Sequence, residues 1–206
     1  MITLYWYPQT RASRTHWLLR ETGLPFELKL IDLRDPDARR DEGFRAASPM
    51  SKVPAISDGE VHMAEGAAIS LYLADRYPET GPAPAVDHPD RGRYLYWSTY
   101  TPAAIEPAMM ERFNNWEVNP GTTGWGNFDR MIRTLERGIG DGPWILGERF
   151  SAADTLLGSS VYFAKTFGIL PESDVLEAYL ERCLARPAYQ AALAGEAEAA
   201  AAASPE

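Results

Sequence analysis

Residues 78–89, "PETGPAPAVDHP", carry four prolines and no hydrophobic periodicity. Proline fixes φ and lacks a backbone N–H, so such a stretch sustains neither a helix nor a sheet ladder. It is read as a linker over 78–88, with one domain over 1–77 and a second over 89–206. Strand and helix signals alternate before it. After it the strand signals fade, and only helical spacing remains.

In the first part, "ITLYWY" and "FELKLID" are rich in β-branched and aromatic residues, as strands are. Between them "SRTHWLLRETG" predicts a helix with Ser13 as N-cap and Gly23 as its stop. The polar, punctuated "RDPDARRDEGFRAASP" reads as loop with a little helix. "VPAIS", "DGE" and "VHM" read as strand, turn and strand. In "AEGAAISLYLADRYP", Ala68, Ile69, Tyr72, Leu73 and Arg76 recur at helical spacing, and Pro78 closes the run. Beyond the linker, "DRGRYLYWSTYTPAAIEPAMMERFNNWE" predicts one long helix bent near Pro102 or Pro107. "FDRMIRTLERGI", "SAADTLLGSSVYFAKTF" and "SDVLEAYLERCLAR" predict three more, the second opened by a capping-box variant. The tail "GEAEAAAAASPE" is low in complexity and is expected to fray.

The 206 residues carry a net charge of −9 and no basic run. Such a chain has no general attraction for nucleic-acid phosphates or anionic membranes. "MITLYWYP" lacks the charged and apolar regions of a signal peptide, and Cys183 is the single cysteine. Both features point to a reducing cytoplasm. His16, His62 and His88 show no metal-ligand spacing, so no metal is expected. "GIGDGPW" precedes no suitable helix, and Asp141 would repel phosphate, so it is a loop and not a phosphate cradle.

"KVPAI" followed by "MAEGAAISLYLADRYP", and later "PWILGERFSAADTLLGS", resemble the recurrent N- and C-terminal features of cytosolic glutathione transferases. "RETG" and "AEGAAI" lean toward the bacterial members. The resemblance covers residues 1 to about 193. It implies an α/β thioredoxin-like domain, ordered β-α-β-α-β-β-α, followed by an all-α helical bundle that contributes the electrophile site. It also implies a cis bond at Val53–Pro54, which at a base rate of ~5–6% no X-Pro sequence establishes alone. The Val53 N–H and C=O would then pair with the peptide-like middle of glutathione. At the start of the following helix the Gly66 N–H would seat the γ-glutamyl carboxylate, and Glu65 would meet the ammonium. Most relatives have serine at the Gly66 position; one lost hydroxyl bond costs on the order of 1 kcal/mol. Lys52 would meet the glycyl carboxylate.

The chemical task is to turn the glutathione thiol into a thiolate. Lowering its pKa from ~8.5 by about two units takes roughly 2.7 kcal/mol. One hydrogen bond to a charged partner supplies ~1.5–3 kcal/mol, so one well-aimed donor suffices. Relatives place that donor in the turn after the first strand. Aligned without gaps, the tyrosine pattern lands on Tyr5 and the serine pattern on Thr10. The cysteine pattern lands on Arg11, which rules out a protein thiolate there but offers a cation. Thr10 and Arg11 rank first, then Tyr5, then Ser13. Ordinary roles compete with each: strand packing for Tyr5, a local turn bond for Thr10.

Tyr7, Tyr100, Glu106, Met109 and Phe113 are the candidate electrophile contacts, although aromatic and thioether side chains at helical spacing fill ordinary cores as well. Asp154 reads as a helix cap. The expected function is conjugation of the glutathione thiolate to small apolar electrophiles, a detoxifying transferase acting as a homodimer in the cytoplasm. The alternatives are a non-catalytic ligand carrier on the same fold, or a glutathione-dependent peroxidase or isomerase using the same site.

Overall fold

The computed structural model describes residues 1–203. These divide into two compact units: Met1–Gly81 together with the segment from Ala185, and Pro82–Leu184.

The first unit runs β1 (Ile2–Trp6), α1 (Ala12–Thr22), β2 (Phe26–Leu30), α2 (Glu42–Ala47), β3 (Ala55–Asp58), β4 (Val61–Ala64) and α3 (Gly66–Arg76). The sheet order is β2-β1-β3-β4. β1 and β2 are parallel, which requires a crossover, and α1 supplies it. The β1–β3 and β3–β4 pairs are antiparallel. Strand alternation sends Trp6 toward α1, where its ring lies 5.1 Å from His16. It sends Tyr5 to the other face, 5.8 Å from Phe44 of α2.

α1 is buried along most of its length: Ala12, Arg14, Thr15, His16, Trp17, Leu18 and Leu19 are all covered. Gly23 ends it in the left-handed conformation at φ 67, as its position predicts. The start differs from the expectation. The helix begins at Ala12, Arg11 holds the N-cap position, and Ser13 lies inside the first turn. The reason is local: the Thr10 hydroxyl oxygen takes the Ala12 N–H at 3.2 Å. Capping is thus done one residue earlier, by a side chain read from the sequence as a turn former.

The tail also differs from the expectation of fraying. α9 (Pro187–Ala203) is helical, and it belongs to the first unit. It docks on α1. Tyr189 sits 5.1 Å from the buried Trp17 ring, edge to face. Arg186, just before the helix, grips Glu21 with both nitrogens at 2.5 and 2.7 Å, and Glu21 also accepts the Trp17 indole N–H at 2.8 Å. Alanine is the best helix former, so an alanine-rich segment needs only a docking surface to hold it. The last residues of "GEAEAAAAASPE", 204–206, lie outside the described residues.

In the second unit, α4 (Arg91–Tyr100) and α5 (Glu106–Asn114) are joined by a π-helical segment, Thr101–Ile105. It contains Pro102, one of the two prolines expected to bend the helix. α6 (Phe128–Ile139), α7 (Ala152–Thr166) and α8 (Asp174–Leu184) complete the bundle. The capping box of α7 forms as its sequence predicts. Asp154 accepts from Ser151 N at 2.8 Å, Ser151 Oγ at 3.0 Å, Ile145 N at 2.9 Å and Tyr179 Oη at 2.9 Å. Cys183 is buried in α8. Among the described residues no helix is long and apolar enough to cross a membrane.

His16 and Asp154 give the two units opposite responses to pH. Burial, then the nearby Arg20 cation, lowers the His16 pKa from 6.5 to about 4. Its contribution is therefore fully present above pH 6.5 and lost as pH falls through 4. Burial raises Asp154 from 3.8 to about 6 against the pull of its donors. That contribution is present below 3.8 and lost as pH rises through 6. Each shift corresponds to about 3 kcal/mol. In urea unfolding, the advantage of wild type over His16→Gln should shrink by about that amount from pH 7 to 4. Its advantage over Asp154→Asn should shrink from pH 4 to 7. A difference independent of pH for either variant would overturn its assignment.

Candidate active site

The register Tyr5↔Ala55↔Ala64 aligns the end of β1, the beginning of β3 and the end of β4 at one end of the sheet. The turn after Trp6, the Val53–Pro54 step and the Glu65–Gly66 step all emerge there. The Val53–Pro54 bond is cis. The Gly66 α-carbon shows how close the segments come. A Cβ built on it would lie 3.4 Å from Arg14 Cδ and 3.8 Å from Pro54 Cγ.

Each segment has its own fixing. Ser48, buried, donates to the Lys52 carbonyl at 2.7 Å and accepts the Lys52 N–H at 2.9 Å, which holds the approach to Val53 and leaves the Lys52 side chain exposed. Glu65 is exposed and adopts φ 70, a left-handed value that costs a non-glycine residue on the order of 1–3 kcal/mol. α3 opens directly after it, so the first N–H groups of the helix, Gly66 among them, point to this end of the sheet with the positive end of the helix dipole. Arg14, buried in the first turn of α1, lays its aliphatic stem against Gly66. The arrangement offers N–H donors at a helix N-terminus, chemistry suited to a carboxylate, on a chain whose net charge is −9.

In the turn, Thr10 donates to the Tyr7 carbonyl at 2.6 Å while accepting from Ala12. Arg11 is exposed at the head of α1. Ser13 Oγ is shielded from solvent and has no hydrogen-bond partner among the described residues. The Tyr7 hydroxyl accepts from Arg34 at 2.5 Å. Arg34 in turn holds Asp32 through Nε and Nη2 and keeps that carboxyl at about 2, well below its usual value. Asp32 and Arg34 stand two residues apart, but their link to Tyr7, 27 residues before Arg34, was not legible in sequence.

Tyr5 lies elsewhere. It is buried, part of the apolar cluster with Ile31, Phe44, Ala47 and Ala55. Its hydroxyl hydrogen-bonds Ser57 Oγ at 3.2 Å, and Lys29 Nζ stands 5.7 Å from its ring centroid. A Cβ at Gly43 would fall 2.2 Å from that hydroxyl, so glycine is what admits the phenol. These contacts fit the strand-packing role weighed for Tyr5.

The candidate electrophile residues of the second unit are spread along its helices. Tyr100 is half-buried, stacked on Tyr96 at 5.5 Å, with its hydroxyl 3.4 Å from the Met131 carbonyl. Burial raises its pKa. Met109 borders a small apolar crevice with Ile105, Met131 and Leu135. Glu106 opens α5, and Phe113 is exposed with an edge contact to Phe167 at 5.9 Å. Among the described residues there is no group of three or more His, Cys, Asp or Glu side chains placed to hold a metal.

Tyr5 and Gly43 make a closed test of packing against chemistry. Gly43→Ala should destabilise by about 1–3 kcal/mol through overpacking. Tyr5→Phe should recover part of that loss in the double variant, because the atom nearest the new methyl is gone. Tyr5→Phe alone should leave thiolate formation on bound glutathione unchanged. A thiol pKa raised by a unit or more in Tyr5→Phe would return Tyr5 to the activating role.

With this geometry in view, comparison with known proteins gives a consistent result. Residues 10–76 match the family description "Glutathione S-transferase, N-terminal domain", and residues 83–184 match "Glutathione S-transferase, C-terminal domain". Glutathione S-transferase GstA of Escherichia coli O157:H7 is 27% identical over 199 residues, covering 94% of this chain and 98% of its own. Among solved structures, a glutathione transferase from Methylococcus capsulatus superposes with a TM-score of 0.79 at 31% identity, covering 96% of this chain and 100% of its own. A sphingomonad glutathione S-transferase complexed with glutathione gives 0.79 at 28% identity, covering 95% and 98%.

Proposed function

Because the chain belongs to the glutathione S-transferase family, we propose that the converging end of its sheet binds glutathione and that the head of α1 activates the thiol for attack on a small apolar electrophile. The carrying observation is the convergence itself: Pro54 and Arg14 come so close to Gly66 that a Cβ there would touch both, at the end of the sheet where β1 hands over to α1. The Val53 backbone, just outside the β3 ladder, is free of sheet register and pairs with the ligand's peptide groups as an added strand would. Gly66 N–H takes the γ-glutamyl carboxylate, Glu65 its ammonium, and Lys52 the glycyl carboxylate.

The thiolate is then held by the head of α1. Arg11 supplies charge, and the first-turn N–H groups supply the positive end of the helix dipole, as in low-pKa cysteines at helix N-termini. Thr10 reaches the sulfur only by turning its hydroxyl away from Tyr7, whereas Ser13 has its proton uncommitted. The thiol proton leaves to solvent. The sulfur lone pair forms the new C–S bond as the electrophile's leaving group departs with its bonding electrons, or as its polarised double bond takes them up. No group on the protein has to be oxidised or reduced. Support for the apolar electrophile is the aromatic and thioether character of Tyr100, Met109 and Phe113; Tyr7 and Glu106 complete that proposed set. A homodimer, cytoplasmic residence and a detoxifying role belong to the same proposal, on the strength of the family.

The strained Glu65 supplies the test. Glu65→Gly should leave stability equal or higher, since glycine tolerates positive φ. It should also abolish retention on immobilised glutathione and raise the dissociation constant in calorimetry at least tenfold. In wild type, ultraviolet titration should find the bound thiol ionising about two units below ~8.5. Undiminished binding by Glu65→Gly would remove the ammonium assignment. An unshifted thiol would remove the transferase activity.

A further inference from the structure

The tail "AGEAEAAAAA" is alanine broken by a glycine and two glutamates. Glycine is the poorest helix former after proline, so its place inside α9 calls for a reason. The structure supplies one. A Cβ at Gly195 would sit 3.3 Å from His16 Cε1 on α1. The missing side chain lets α9 lie close against α1, and the next residue, Glu196, is buried by that approach. Its Oε2 accepts the backbone N–H of Gln9 at 3.1 Å, across 187 residues of sequence. Gln9 stands in the turn from Trp6 to α1 and adopts φ 57, a conformation that most side chains avoid. Thr10 and Tyr7 satisfy one another within that turn, whereas the Gln9 N–H is taken by the far end of the chain.

We propose that Glu196 is a positioning residue for thiol activation: by fixing the Gln9 amide it holds the turn, and with it Thr10, Arg11 and the first N–H groups of α1, in the geometry that meets the sulfur. This rests on the reading that the head of α1 is the activating element. Glu196 touches neither glutathione nor the electrophile in this scheme. It acts through Gln9, and α9 acts as a clamp anchored by Tyr189 on Trp17 and by Arg186 on Glu21.

The sign of its effect separates positioning from charge. A carboxylate near the site repels a thiolate, so simple removal of the charge would lower the thiol pKa. Loss of positioning raises it. Full-length wild type, Glu196→Ala and Glu196→Gln would be titrated with bound glutathione by thiolate absorbance, and assayed with 1-chloro-2,4-dinitrobenzene. Glu196→Ala should raise the bound thiol pKa by about one unit and lower kcat about tenfold below that pKa, with KM for glutathione changed less than twofold. Glu196→Gln, whose amide oxygen can still accept from Gln9, should restore most of the wild-type behaviour. An unchanged or lowered pKa in Glu196→Ala would overturn the proposal, as would a Gln variant no better than Ala. If Glu196→Ala does not fold, Glu196→Asp carries the test: it keeps the charge but draws the acceptor back from the Gln9 N–H by one methylene, and an unchanged thiol pKa there overturns the proposal equally. A wild-type enzyme whose bound thiol is unshifted would instead refute the activating role of α1, a result distinct from any difference among the variants.

Discussion

The pairing Tyr5↔Ala55↔Ala64 is the constraint from which the site follows. Side chains on a strand alternate with period two, so slipping either antiparallel pair by one residue would exchange its buried and exposed faces. The core forbids this. Leu4 and Ile56, opposite one another, are both fully buried, and Tyr5 fills the space under α2 that Gly43 leaves. Once the register is set by packing, the places where the chain leaves the sheet are set with it. Three segments distant in sequence must then emerge side by side, and the proposed ligand seat is a consequence of the hydrophobic pattern.

α1 carries a second constraint. A crossover helix between parallel strands normally covers one face of the sheet and shows its other side to water. Here α9 packs on α1 as well, through Tyr189 on Trp17 and Arg186 on Glu21, so α1 is buried along most of its length despite carrying Arg14, Arg20 and Glu21. His16 illustrates the cost of that arrangement. Its imidazole lies between the Trp6 and Phe26 rings and accepts from Arg20 Nε at 3.2 Å, an arrangement compatible only with the neutral form. Glu21, in the same wrapping, accepts from both Arg186 and the Trp17 indole. A buried carboxylate without such partners would cost several kcal/mol.

Most of the first 77 residues could be read directly, because each element there announces itself locally. β1 and β3–β4 show period-two or turn chemistry, α1 ends on a glycine that is in fact left-handed, and α3 has clear helical spacing. The capping box of α7 was equally plain, since Ser151 and Asp154 interact within one turn. What sequence could not show is of another kind. α9 has almost no amphipathic signal, because alanine is neither strongly apolar nor polar, so its docking face is invisible until α1 is placed against it. Arg14 carries no signal of its own in the sequence, yet it is buried with its stem against Gly66. Arg34 pairs locally with Asp32, but it reaches Tyr7 in a different turn, a link no local spacing announces. Glu196 and Gln9 stand at opposite ends of the sequence, and no local rule relates them.

The order in which these layers depend on one another follows from magnitudes. Thiol activation needs roughly 2.7 kcal/mol for two pKa units, close to the upper worth of one charge-assisted hydrogen bond. There is little excess, and a hydrogen bond weakens steeply once its angle falls toward ~120°. A turn displaced by an ångström or more would lengthen or tilt such a bond out of range and forfeit much of the effect. Such a turn cannot be left to its own residues, because Gln9 at φ 57 tends to relax toward negative φ. The surroundings must over-determine it: Thr10 on Tyr7 from within, the buried Pro8 beneath, and Glu196 from the last helix. Weak chemistry per contact thus explains why a helix more than 180 residues away in sequence is built into the same unit as the turn it braces.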